Sequence, residues 1–195
     1  MTPLLDVHTH SIVSGHAYSS IQEMAVAASE KGLKILGITE HAPELPGACD
    51  PIYFRNLHVV PREMYGVRLL LGAELNILDT KGTLDLDEDY YRILDLRIAG
   101  IHSLCWKGGT REENTHAATL SFPRNALPAI PMEIVRAEET GDGTALLDFE
   151  PIVLAAKETR TLLEINSSSM DPVRHKEEAR ENKLEILRLC RHYEV

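Results

Sequence analysis

The residues best placed to do chemistry open the chain, in Asp6-Val7-His8-Thr9-His10. They follow the apolar pair Leu4-Leu5, so the stretch reads as the end of a strand. Alternate side chains of a strand share a face, so His8 and His10 point the same way. Two imidazoles side by side suit a divalent transition metal, because neutral imidazole is a common ligand of such ions. Other apolar runs also end in ligand types. Ile38-Thr39 leads into Glu40-His41, residues 67–73 lead into Glu74, residues 96–101 into His102, and Ile165 into Asn166. His16, in the first loop, can join them. Taken singly each has a plainer reading. His41 could be a loop residue, Glu74 a solvated carboxylate or a cap, and His102 a hydrogen-bonded core histidine. Taken together, the run of strand ends in His or Glu points to a metal site.

Positioning these residues needs parallel strands joined by helices. Strands are expected at 4–8, 34–39, 67–73, 96–101 and 161–165, with a shorter one at 57–60. Ser20-x-x-Glu23 is a capping-box pattern for a helix carrying Ile21, Met24, Ala25 and Ala28, which Gly32 stops. Further helical segments are expected at 61–65, 90–94, 149–158 and 175–192. Lys81-Gly82 marks a turn of a small hairpin joining Ile77-Leu78 to Thr83-Leu84. Alternating strand and helix argues for a parallel sheet with helical crossovers, and a closed barrel of that kind gathers functional residues at the strands' carboxyl ends. His58, His116, His175 and His192 show no such placement, and the last two lie in a charged helix.

Composition narrows the function. The chain has 195 residues, 44% hydrophobic and 26% charged, which suits one globular domain. A formal net charge of -10 disfavours nucleic acid and anionic membranes as partners. No run approaches the ~20 apolar residues of a membrane span. Asp6, His8 and His10 stand where an export signal would need apolar residues, and Cys49, Cys105 and Cys190 form no CxxC pair, so a reducing cytoplasm is expected.

At this point the chain resembles the PHP family, the polymerase and histidinol phosphatase superfamily. The resemblance rests on Asp6-Val7-His8-Thr9-His10, His16-Ala17-Tyr18-Ser19, Ile38-Thr39-Glu40-His41, Gly72-Ala73-Glu74, Ala99-Gly100-Ile101-His102 and Leu163-Glu164-Ile165-Asn166-Ser167-Ser168. Its nearest subgroup is the trinuclear, zinc-type PHP phosphatases. The resemblance implies an α/β fold, a distorted (β/α)7 barrel, with 1–195 forming a single PHP domain. It also implies up to three metal ions, zinc foremost and manganese or iron as alternatives. His8 and His10 would hold one with Glu74, Glu74 would bridge to a second held by His102, and His16 and His41 would hold the third. Glu74 and His10 would be the catalytic residues.

Two departures stand against that pattern. The family's His-Pro-Gly segment is replaced by Glu138-Glu139-Thr140 before Gly141-Asp142-Gly143, and its late Asp-x-His segment would follow a strand beginning near Val195. Each metal then lacks one protein ligand, with Glu138, Glu139, Asp142 or His116 as substitutes, and the barrel is expected to be incomplete at its C-terminus. Pro123, Pro128 and Pro131 fall where the family has a helix and a strand, and they are expected to break both. A local reading-frame disturbance or a real insert would each account for residues 117–140.

The expected activity is hydrolysis of small phosphate monoesters by a metal-activated water. Asp6 is a candidate for orienting an imidazole. Arg55, Lys107 and Arg111 are candidate phosphate contacts, and Asn166, Ser167 and Ser168 either line the pocket or cap a turn. The alternatives are a histidinol-phosphate phosphatase and a non-catalytic, vestigial metal-binding fragment. The expected partner is a small phosphorylated substrate, with homo-oligomers open and a polymerase-associated module disfavoured by the short, acidic chain.

Overall fold

The computed structural model describes residues 4–102, 104–106, 109–121, 132–136, 147–164 and 177–195. They fall into two compact units, one running to Leu75 with Asp85–Ile98, the other Asn76–Leu84 with Ala99–Val195.

The first unit opens with strand β1, Leu5–Thr9, followed by a short 3-10 turn at Ile12–Ser14. Helix α1, Ile21–Glu30, starts on the expected box: Ser20 accepts from the Glu23 amide while the Glu23 carboxylate accepts from the Ser20 amide. Strand β2, Ile35–His41, runs parallel to β1. Helix α2, Pro51–Asn56, is capped by Asp50. Strand β3, Glu63–Met64, precedes β4, Val67–Asn76, which lies parallel to β2. Helix α3, Glu88–Tyr91, leads into β5, Leu96–Gly100. The strand order in this unit is β1-β2-β4-β5, with β3 on β4.

Two local expectations are corrected here. Residues 57–60 form a 3-10 turn, Leu57–Val59, instead of a strand. Residues 61–65 contain β3 instead of a helix, because Tyr65 and Gly66 both take positive φ, 52° and 75°. That pair makes a two-residue hairpin turn and returns the chain antiparallel onto β4, with Met64 opposite Val67.

In the second unit the small hairpin forms as expected, with Ile77 bridging Leu84 and the Leu78 amide donating to the Thr83 carbonyl at 2.8 Å. Helix α4, Arg111–Leu120, begins on a second capping box, Thr110 with Glu113. Strand β6 is Met132–Arg136, α5 is Phe149–Thr159, β7 is Leu162–Leu163 parallel to β6, and α6 is Glu177–Tyr193. Pro123, Pro128 and Pro131 themselves lie outside the described residues. Helix α4 ends before Pro123 and β6 begins after Pro131, so the prolines lie outside both. Asn166, Ser167, Ser168, His175, Lys107, Glu138, Glu139 and Asp142 lie outside the described residues.

The architecture is α/β, parallel strands separated by helices, as expected. The first unit's apolar interior is carried by Leu36, Ile38, Leu69, Leu71 and Phe54. The second has its own cluster, in which Ala117 and Ala118 of α4, Phe149, Ile152 and Ala156 of α5, and Ile186 of α6 are buried together.

Candidate metal centre

Strand register does the first positioning. The β2–β4 pairing sets Thr39 beside Gly72, Glu40 beside Ala73 and His41 beside Glu74, so the last residue of β2 meets the carboxylate on β4. On the other side, β1 pairs with β2 through a register shift between Asp6 and Thr9. Gly37 permits it: a Cβ there would sit 2.4 Å from the Val7 carbonyl oxygen. Thr9 then donates to the Gly37 carbonyl at 2.6 Å, fixing the exit of β1 between His8 and His10.

The imidazoles converge on one atom. Glu74 is fully buried, and its Oε2 lies 3.2 Å from His8 Nε2, 3.2 Å from His10 Nε2 and 2.9 Å from His41 Nδ1. The His10 and His41 rings stack with centroids 4.4 Å apart, and the His16 ring is 4.9 Å from the first and 5.0 Å from the second. Ligand atoms of His8, His10 and Glu74 lie within 4.8 Å of one another, as do those of His10, His16 and His41. A buried carboxylate facing several half-buried imidazoles is costly unless cations compensate it. Nitrogen and carboxylate oxygen donors together suit zinc, manganese or iron.

The loop after β1 is held by polar contacts beneath these rings. Ser11 caps the Ile12–Ser14 turn, and Gly15, at φ 74°, ends it. A Cβ on Gly15 would meet the Gly47 carbonyl oxygen at 2.6 Å. His16 Nδ1 lies 3.1 Å from the Ser14 carbonyl oxygen. A carbonyl only accepts, so this nitrogen carries the ring proton and Nε2 is left bare. His102 belongs to the second unit, where its Nδ1 is 2.6 Å from the Asn76 side-chain oxygen, with the same consequence.

Other expected residues make contacts within the chain. Asp6 is exposed and accepts the His8 backbone amide at 3.4 Å, not an imidazole. Arg55 donates to the Tyr90 hydroxyl and lies over its ring, and Arg111 donates to the Leu147 carbonyl and the Asp148 carboxylate. His58, His116 and His192 are exposed. Burial, with the charge of Glu40 adding to it, pushes the Cys49 thiol up to about 12 and raises the Tyr53 hydroxyl as well.

Ser11, Ser14, Glu40 and Asn76 escaped the sequence reading. Their signal was faint: a glutamate just before a strand-end histidine, in a strand otherwise apolar.

Comparison with known proteins identifies the family. The family model described as the PHP domain matches residues 6–193. A probable phosphatase of Clostridium novyi is 44% identical over 195 residues, covering all of this chain and 76% of the relative. Probable phosphatases of Caldicellulosiruptor bescii and Acetivibrio thermocellus are each 40% identical, over 98% and 96% of this chain and 75% and 74% of their own lengths. On both grounds the chain belongs to the PHP domain family.

Proposed function

We propose that the chain is a metal-dependent hydrolase that cleaves small phosphate monoesters. The observation that carries this reading is the convergence of His8, His10 and His41 on one oxygen of buried Glu74. The relatives named probable phosphatases support the reaction type. His8 and His10 would hold one ion with Glu74, and the family pattern would give His102 to a second. His16 and His41 would hold a third. Zinc is the first choice, with manganese or iron as alternatives.

Divalent ions in such a site supply Lewis acidity, drawing the pKa of water from ~15.7 towards about 7 and polarising phosphoryl oxygens. The chain's own residues do the rest. Glu74 would supply the shared carboxylate, and the rings of His8, His10 and His41 pack against it and keep it from water. In the neutral rings the Ser14 carbonyl and the Asn76 side-chain oxygen favour the proton of His16 and His102 on Nδ1, which leaves Nε2 as the nitrogen that would ligate. One family model running over residues 6–193 supports reading 1–195 as a single PHP domain. No helix among the described residues is long and apolar enough to cross a membrane. The three cysteines are free thiols, which suits a reducing cytoplasm.

The test is elemental analysis of the purified protein combined with turnover of p-nitrophenyl phosphate. Bound zinc, manganese or iron, with turnover lost on chelation and in His8→Ala, is the expected result. A folded protein that takes up none of these metals and hydrolyses no phosphate ester would overturn the reading.

A further inference from the structure

Glu40 is wholly buried beside His41 in sequence, and its carboxylate is held by Ser11 and Ser14. Its Oε1 accepts the Ser11 hydroxyl at 2.5 Å and the Ser11 amide at 3.1 Å. Its Oε2 accepts the Ser14 hydroxyl at 2.5 Å and the same amide at 3.2 Å. So much polar matter is buried here for a reason beyond packing.

The reason lies in how many protons Ser14 has. A serine hydroxyl offers one proton and two lone pairs. Its proton goes to Glu40. One lone pair takes the His41 backbone amide at 3.0 Å. The other faces His10 Nδ1 at 3.2 Å and can only accept there. His10 must therefore carry its proton on Nδ1, and its Nε2, the nitrogen turned to Glu74, is left as the ligand. The same serine's carbonyl sets the same tautomer in His16.

We propose that Glu40 is a positioning residue for the metal site: through Ser14 it locks His10 in the Nδ1-protonated tautomer and anchors the start of the His41 exit. This rests on the metal reading above. An amide in place of the carboxylate would undo it. In Glu40→Gln, the nitrogen facing Ser14 would donate, driving the serine's proton towards His10 Nδ1 and the ring's own proton to Nε2. The flipped amide would instead set a donor against the Ser11 amide, so neither orientation restores the wild-type pattern.

The test is a long-range proton–nitrogen NMR spectrum of the histidine rings, with zinc affinity measured by chelator competition, on wild type, Glu40→Gln and Ser14→Ala. In wild type, metal-free and zinc-loaded, Nδ1 of His10 should carry a proton. Both variants should bind zinc about 10- to 100-fold more weakly, the range for lost outer-shell partners, and His10 should lose its single Nδ1–H form. A bare Nδ1 on His10 in wild type overturns the proposal even if neither variant folds. Folded variants with wild-type affinity and an unchanged ring spectrum overturn it too, leaving Glu40 a merely structural residue. Wild type that binds no zinc overturns the metal reading instead, and its metal-free spectrum still decides the tautomer.

Discussion

The two units bury different matter. The first takes Ser11, Ser14, Thr39, Glu40, His41 and Glu74 out of water alongside its aliphatic residues. The second buries Asn76, Asn114, Thr115, Thr161 and Lys183, with no carboxylate or imidazole among its buried described residues, beside an apolar cluster of Ile77, Ile101, Trp106, Leu147, Phe149, Ile152 and Ile186 with small alanines. Apolar burial favours folding by roughly 25 cal/mol per Å², whereas buried polar groups cost free energy unless partnered. The contrast separates a region organised around chemistry from one organised around cohesion. It predicts that what binds at Glu74 matters more to the strands of the first unit than to the apolar cluster of the second.

The sharpest way to break that contrast is Glu74→Gln. We expect turnover of p-nitrophenyl phosphate to fall by at least about 100-fold, since even outer-shell changes cost 10–100-fold, with metal per chain falling in parallel. Unchanged metal content would remove Glu74 from the site. In the second unit, Ile152→Ala should cost about 2–5 kcal/mol through the cavity it opens, read as a lower Tm. Metal per folded chain should stay as in wild type, and its loss would mean the two kinds of core are not separable.

Metal removal should act in the reverse sense. An ion at a hundred times its Kd contributes ~2.7 kcal/mol, so chelation should lower Tm, and hydrogen exchange should rise in β1, β2 and β4 but not in α5. A uniform rise across both units would blur the distinction. Gly37→Ala is a smaller probe, expected to cost on the order of 1–3 kcal/mol as an overpacked site. It should weaken metal binding as well as stability, because it separates the exits of β1 and β2. Least of all, His58→Ala should change stability by no more than about 0.5 kcal/mol and leave metal content alone, as for an ordinary surface position. An effect of Glu74→Gln size there would show that histidine count, not placement, governs binding.

Much of this was legible beforehand. The Ser20 and Glu23 box, the strand ending at His41 and the long strand leading to Glu74 carry their own local signals, and all three form, the last running on to Asn76. The hairpin at Tyr65-Gly66 was missed because the residues before it, from Pro61, read equally well as a short helix. Helix α4 was not among the expected helices, although Thr110 and Glu113 spell the same box as Ser20 and Glu23.

By itself the sequence determined the ligand types, their order and their position at strand ends, since side-chain chemistry and alternation are local properties. Tertiary structure alone decided which of them meet. Pairing His41 with Glu74 depends on the register of β2 against β4, and the approach of His8 and His10 depends on the shift that Gly37 allows. Ser14 sends its proton to Glu40, far along the chain, and its lone pairs to His10 and His41. Neither register nor the direction of a hydroxyl proton is written in local propensity. Both follow from which partners the packed strands bring within hydrogen-bond reach.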